Sequence, residues 1–156
     1  MAASNGFWCD MSATCDLCAG DGGEVLWQHP SFRVVLVDEP DYPGFCRVIW
    51  NGHVKEMTDL LPAQRTLMAN AVWAVEAAVR QTMLPEKVNL ATLGNMTPHV
   101  HWHVIPRYLD DRHFPSPVWA GAARDADPVA LALRRARLPQ LRQAVRQQLQ
   151  AAALDA

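Results

Sequence analysis

The chain has 156 residues, half of them hydrophobic and 19% charged, enough for one domain with an ordinary buried core. Fourteen Lys and Arg against sixteen Asp and Glu give a formal net charge of -2, so the overall balance offers no basis for a nucleic-acid-binding surface, although a nucleotide-sized ligand needs only a local pocket. The segment MAASNGFWCD has neither the basic region nor the apolar run of a signal peptide, and no stretch approaches ~18 consecutive apolar residues, so a soluble, cytoplasmic protein with no membrane partner is expected.

Residues 1–23 carry few core-like side chains and end in the turn signal AGDGG, and they read as an N-terminal arm. The chain holds four cysteines, Cys9, Cys15, Cys18 and Cys46, and without an export signal these are expected to be thiols or metal ligands rather than a disulfide framework. Cys15 and Cys18, in CDLC, have the spacing of a metal knuckle, yet they make only half of a four-ligand site. No strand-to-helix context follows them, which disfavours a redox pair.

EVLWQHPSFRVVLVDEP reads as two strands, about 24–28 and 31–37, because β-branched and aromatic residues cluster there and Pro30-Ser31 separates them. DYPGFCRVIWNG reads as a turn at Pro43-Gly44 and a third strand of about 45–50, the three being antiparallel neighbours. From Pro62 to about Met83, apolar residues recur at helical spacing (Leu67, Met68, Ala71, Val72, Val75, Ala78, Val79), and Pro62 suits a first helical turn. KVNLATLGN and HVHWHVIPRY follow as two more strands, joined by a loop containing Gly94 and Pro98. After the loop-like DDRHFPSPVWAGAARDADP, residues 128–154 form one or two helices interrupted at Pro139. The arginines there (134, 135, 137, 142 and 146) read as a solvated helix face. The order predicts an α+β fold: an antiparallel sheet, one long helix packed on a face, and a C-terminal helical extension.

In HVHWHVI, strand alternation sets His99, His101 and His103 on one face and Val100, Trp102 and Val104 on the other. At roughly 3.3 Å per residue, His99 and His103 lie about 13 Å apart. One zinc holds nitrogens at roughly 2.1 Å, so three such rings converge on a single ion only if the strand bends sharply. A row of imidazoles serving as nucleophile, donor and orienter explains the pattern better, since a neutral imidazole attacks phosphorus when its other nitrogen is held by an acceptor.

HVHWHVI matches the His-φ-His-φ-His-φ-φ signature (φ an apolar residue) of the histidine-triad superfamily, and PGFCRVIWNGHV resembles the preceding strand and turn of that family. The resemblance covers about residues 15–108 and implies a homodimeric α+β nucleotide hydrolase or transferase acting on a small-molecule nucleotide. In this chain His101 would be the nucleophile that forms a nucleotidyl-imidazole intermediate, His103 would contact the phosphate and the leaving oxygen, and His99 would be structural. Asp38 resembles the position that binds ribose hydroxyls, and its alternative reading is a turn-initiating Asp before EPDYPG. Two departures are visible: Phe45 stands where many relatives have a histidine, and Asn95 and Thr97 in LGNMTP replace a Gln-Ser or Gln-Thr pair. Asn95 and Thr97 remain candidates for substrate binding, as does Trp119, because the C-terminal region often shapes the pocket of relatives.

The zinc-containing branch of the family and the related galactose-1-phosphate uridylyltransferases share a ligand order of Cys-x-x-Cys, a midway histidine and the first triad histidine. That resemblance implies a structural zinc site of Cys15, Cys18, His53 and His99, tying the arm to the sheet; no organic cofactor is expected. The corresponding division is an arm (1–23), a catalytic domain (24–108), and a loop and helical extension of the same domain (109–156). Two other functions compete with the enzyme: a zinc-stabilised nucleotide-binding module with negligible catalysis, and a hydrolase with the metal in its active site.

Overall fold

The computed structural model describes residues 15–154, so Cys9 and most of the expected arm lie outside the described residues. Five strands, β1 (Glu24–Gln28), β2 (Phe32–Leu36), β3 (Cys46–Trp50), β4 (Lys87–Ala91) and β5 (His101–Arg107), form one antiparallel sheet in the order β1-β2-β3-β5-β4. The helices are α1 (Asp16–Ala19), α2 (Pro62–Met83), α3 (Pro128–Arg135) and α4 (Leu138–Ala151), and a 3-10 turn spans Met57–Asp59. The α+β fold is the one the element order predicts. Among the described residues no helix is long and apolar enough to cross a membrane.

Strand alternation decides the two faces of the sheet. Phe32, Val34 and Leu36 of β2, Cys46, Val48 and Trp50 of β3, and Val104 of β5 pack with Met68, Val72, Val75 and Val79 of α2 in the main core. The opposite face carries Val35 and Ile49, which Cys15 and Leu17 cover. The β2-to-β3 connection turns at Gly44, whose φ of +93° suits glycine and whose missing side chain leaves room for Met83; a Cβ there would stand 2.9 Å from the Met83 Cε.

Two boundaries differ from the predicted ones for local reasons. β5 begins at His101 and not His99, because the His99 N–H bonds the Thr97 carbonyl in a turn around Pro98, while Val100 reaches both Trp50 and Val54. The C-terminal helices separate at Ala136 and Arg137, just before Pro139, which takes a first-turn position of α4 where its missing N–H costs nothing.

The C-terminal arginines are not a free solvated face. Arg142 forks onto Glu24 with two 2.8 Å bonds, Arg146 donates to the Leu26 carbonyl, Arg135 to Pro40 and Arg137 to Met83. Arg134 pairs with Asp110 and lies 3.7 Å from the centre of the Tyr108 ring. Helical periodicity supplied the exposed positions, but tertiary packing placed acceptors opposite them.

Candidate functional site

Two adjoining constellations grow from the start of β5. The first joins the segment before β1 to the sheet. Arg33 of β2, only 7% exposed, donates to the carbonyls of Leu17, Gly20 and Asp21 and to the side-chain oxygen of Asn51, which anchors α1 against the sheet. This places Cys15 Sγ 3.4 Å from His99 Nδ1, and Cys18 Sγ 3.4 Å from the same atom and 3.3 Å from His53 Nδ1. One ligand atom from each of these four residues lies within 4.8 Å of all the others. Tetrahedral zinc, with bonds of roughly 2.3 Å to sulfur and 2.0–2.1 Å to nitrogen, holds neighbouring ligand atoms about 3.5 Å apart, so the spacing fits.

The donor chemistry fits as well. His99 is 1% exposed, and its Nε2–H donates to the Trp50 carbonyl at 2.6 Å, leaving Nδ1 as a lone pair aimed at the two sulfurs. Burial and the neighbouring Cys15 raise the metal-free Cys18 thiol above its ordinary range, a cost that a bound dication reverses. Two thiols and two imidazoles would fill a tetrahedral ion and leave no open coordination position.

The second constellation is a pocket of about 680 Å³ on the face of the sheet away from α2, lined by His101 and His103 of β5, Arg47 of β3, Asp16 and Leu17 of α1, the loop from Leu93 to Thr97, and Trp119. The His101 Nδ1–H donates to the His99 carbonyl at 2.6 Å, which fixes the tautomer and leaves Nε2 as a lone pair. Burial lowers the His101 pKa, opposed by that hydrogen bond and assisted by the charge of Arg47. His103, its ring 4.8 Å from that of His101, is pushed down to about 4, first by burial, then by the charges of His101 and Arg47. Both rings are therefore neutral near pH 7 and suited to nucleophilic or hydrogen-bonding work.

Of the residues expected to bind substrate, Asn95, Thr97 and Trp119 line this pocket. Asp38 is exposed and instead borders a separate cleft beside Glu24, Arg135 and Arg142. The three triad histidines divide between the two constellations, His99 standing with the cysteines and the other two in the pocket.

Arg47 is a pocket residue that the motif reading missed. Alternation along FCRVIW does place it on the face of Phe45 and Ile49, opposite Cys46 and Val48, and a charge on a strand facing the histidine row was the available signal. A buried polar network behind the site was also missed. Arg107 donates to both carboxylate oxygens of Asp111 (2.7 and 3.1 Å), to Asn89 and to the Ser116 carbonyl, and the Tyr42 hydroxyl lies 2.6 Å from His113 Nδ1 and 3.3 Å from Asp111. Tyr42 and Asn89 come from segments distant from the 107–116 stretch that holds the other four residues, so no local pattern announces the whole network.

The family model for the HIT domain matches residues 22–110 of this chain. No curated protein matches the sequence. Among solved structures, the chain is similar to a histidine triad protein from Bradyrhizobium japonicum at 22% identity and a TM-score of 0.66, over 83% of this chain and 92% of that one. A histidine triad protein from Marinobacter aquaeolei gives 22% identity and 0.65, over 85% and 93%. A Zn-bound histidine triad family protein from Mycobacterium smegmatis gives 25% identity and 0.60, over 90% of this chain and 99% of that one.

Proposed function

The chain belongs to the HIT domain family, and on that premise we propose that it is a nucleotidyl hydrolase or transferase acting at the α-phosphate of dinucleoside polyphosphates or nucleotide phosphoramidates. One observation carries the reading: His101 sits in the pocket wall with Nδ1–H tied to the His99 carbonyl, so its Nε2 lone pair is presented to a ligand. In the first step that nitrogen attacks the α-phosphorus; a P–N bond forms as the bond to the leaving group breaks, and the leaving group departs with the electron pair and takes up a proton. His103 hydrogen-bonds the phosphate and the leaving atom. In the second step water attacks the activated P–N bond, which releases the nucleoside monophosphate and restores the imidazole; another acceptor in place of water makes the protein a transferase.

In this reading Asn95 and Thr97, which line the pocket, hydrogen-bond phosphate oxygens, and the exposed ring of Trp119 covers the base or sugar. Cys15, Cys18, His53 and His99 would hold a structural zinc, which supplies a rigid crosslink between α1 and the root of β5 and takes no part in either step. The resemblance also brings a homodimer into this reading, to be checked by sedimentation of the purified chain.

The experiment is rapid-quench mass spectrometry of the intact protein mixed with diadenosine polyphosphate or adenosine phosphoramidate, with peptide mapping of the adduct. An adenylyl group on His101 is expected, and His101→Ala or His101→Gly should lower turnover about 1,000-fold or more with the fold retained. Normal turnover by either variant ends the proposal. Tight nucleotide binding with no product across a broad panel would instead make the protein a nucleotide-binding module.

A further inference from the structure

Arg47 is the pocket's one guanidinium or ammonium group among the described residues, and although Asp16 also lines the pocket and the Glu39 carboxylate acts on it through space, neither pairs with it directly. Its Nε is buried without a hydrogen-bond partner, and none of the ion pairs among the described residues uses it. Most other arginines at this end of the molecule are satisfied: Arg33 by three carbonyls and an amide oxygen, Arg107 by Asp111, Asn89 and Ser116. A partly buried guanidinium left open costs desolvation energy that an anionic ligand would recover.

Its position says which part of a ligand would do so. Arg47 is the direct cross-strand partner of His103, and residues opposed in this way carry their side chains side by side, with Cβ atoms roughly 5 Å apart. The Phe45 ring lies 5.5 Å beneath the guanidinium and 5.4 Å from the His103 ring, so it supports both groups from one side. His101 pairs instead with Ile49, which offers no charge. The fixed positive charge therefore stands on the His103 side of the nucleophile, the side on which the function proposed above sets the departing group.

We propose that Arg47 is a specificity-determining residue that binds the phosphate beside the attacked one, so that the substrates are nucleotides whose leaving group is itself a phosphate oxyanion. This rests on the function proposed above and narrows it. A guanidinium fork matches two oxygens of a phosphate and stabilises the negative charge that grows on a departing oxyanion. An amine leaving group has no such oxygens and gains nothing from the fork, so phosphoramidates are the poorer class for this chain.

The test uses the full chain with its metal as purified, in a His101→Ala background that leaves ligands intact, and isothermal titration with AMP and ADP. ADP is expected to bind about tenfold or more tightly than AMP. Arg47→Met should collapse that ratio to near one, and Arg47→Lys should keep part of it. Arg47→Gln gives the same readout should the Met variant fail to fold. Equal affinities for ADP and AMP, a ratio that survives both Arg47→Met and Arg47→Gln, or no binding of either nucleotide overturns the inference. Absence of a His101 adduct in the wild-type protein removes the covalent mechanism without touching the ADP/AMP ratio, so the two failures are separable.

Discussion

At the scale of single residues, hydrogen bonds to backbone carbonyls assign the imidazoles their roles. His99 gives its Nε2–H to Trp50 and points Nδ1 at sulfur; His101 gives its Nδ1–H to His99 and presents Nε2 to the pocket. Two chemically identical side chains two residues apart thus become a metal ligand and a nucleophile in the proposed mechanism, because each is locked in the opposite tautomer. Asp111 shows the same control over charge. Burial raises its pKa, but the Arg107 fork and the N–H groups of Tyr108 and His113 outweigh that and hold it at about 2. Its folded value lies below its unfolded value, so its contribution is fully present above about pH 4 and is lost as pH falls toward 2. That contribution is about 2 kcal/mol. Asp111→Asn should therefore destabilise the protein by about 3 kcal/mol at pH 7 and flatten the loss of stability between pH 4 and pH 2, measured by urea unfolding across that range. An unchanged acid profile in the variant would remove Asp111 as its source.

At the scale of elements, α1 is the weak member. It has four residues and no side-chain cap, far below the length at which a helix holds itself together. What keeps it on the sheet is Leu17 packed with Val35 and Ile49, the Arg33 hydrogen bonds to its C-terminal carbonyls, and the Cys15–Cys18–His53–His99 cluster. A metal in that cluster would crosslink α1 to the segment that follows β3 and the one that precedes β5. Chelation, or Cys18→Ser, should lower the thermal midpoint by several degrees and raise amide exchange first around residues 15–22 and 51–54, before β2 or α2. Global unfolding with no preceding local step would show that the cluster supports the whole sheet instead.

For the molecule as a whole, α2 is covered twice. One side meets the sheet; another meets α4, whose Leu141, Val145 and Leu149 are essentially solvent-free. The Arg142–Glu24 fork and the Arg146 bond to Leu26 then tie α4 to the edge strand β1. The C-terminal extension is therefore part of the core. Leu141→Ala should cost roughly 2–5 kcal/mol, the range for emptying a fully buried leucine site, read from denaturant midpoints at unchanged slope. A cost below ~1 kcal/mol would mean that α4 packs loosely in solution.

The sequence by itself determined the five strands, the long helix and the position of the histidine and cysteine motifs, since these follow from local composition and spacing. Clusters of β-branched and aromatic residues between turn signals assigned the strands, period 3.6 gave α2 from Pro62 to Met83, and the alternating histidines together with Cys15 and Cys18 marked where the metal and phosphate chemistry would be sought. Only the tertiary structure decided what those residues face. It separated His99 from His101 by tautomer and partner, set Asp38 outside the triad pocket, and brought Arg47 opposite His103. It also matched the C-terminal arginines to Glu24, Asp110 and backbone carbonyls, and gathered Arg107, Asp111, Tyr42 and His113 into one network. Apart from the local His101–His99 and Arg107–Asp111 bonds, these contacts join segments distant in the chain, and cross-strand register and side-chain packing, which fix such contacts, leave no period in the sequence.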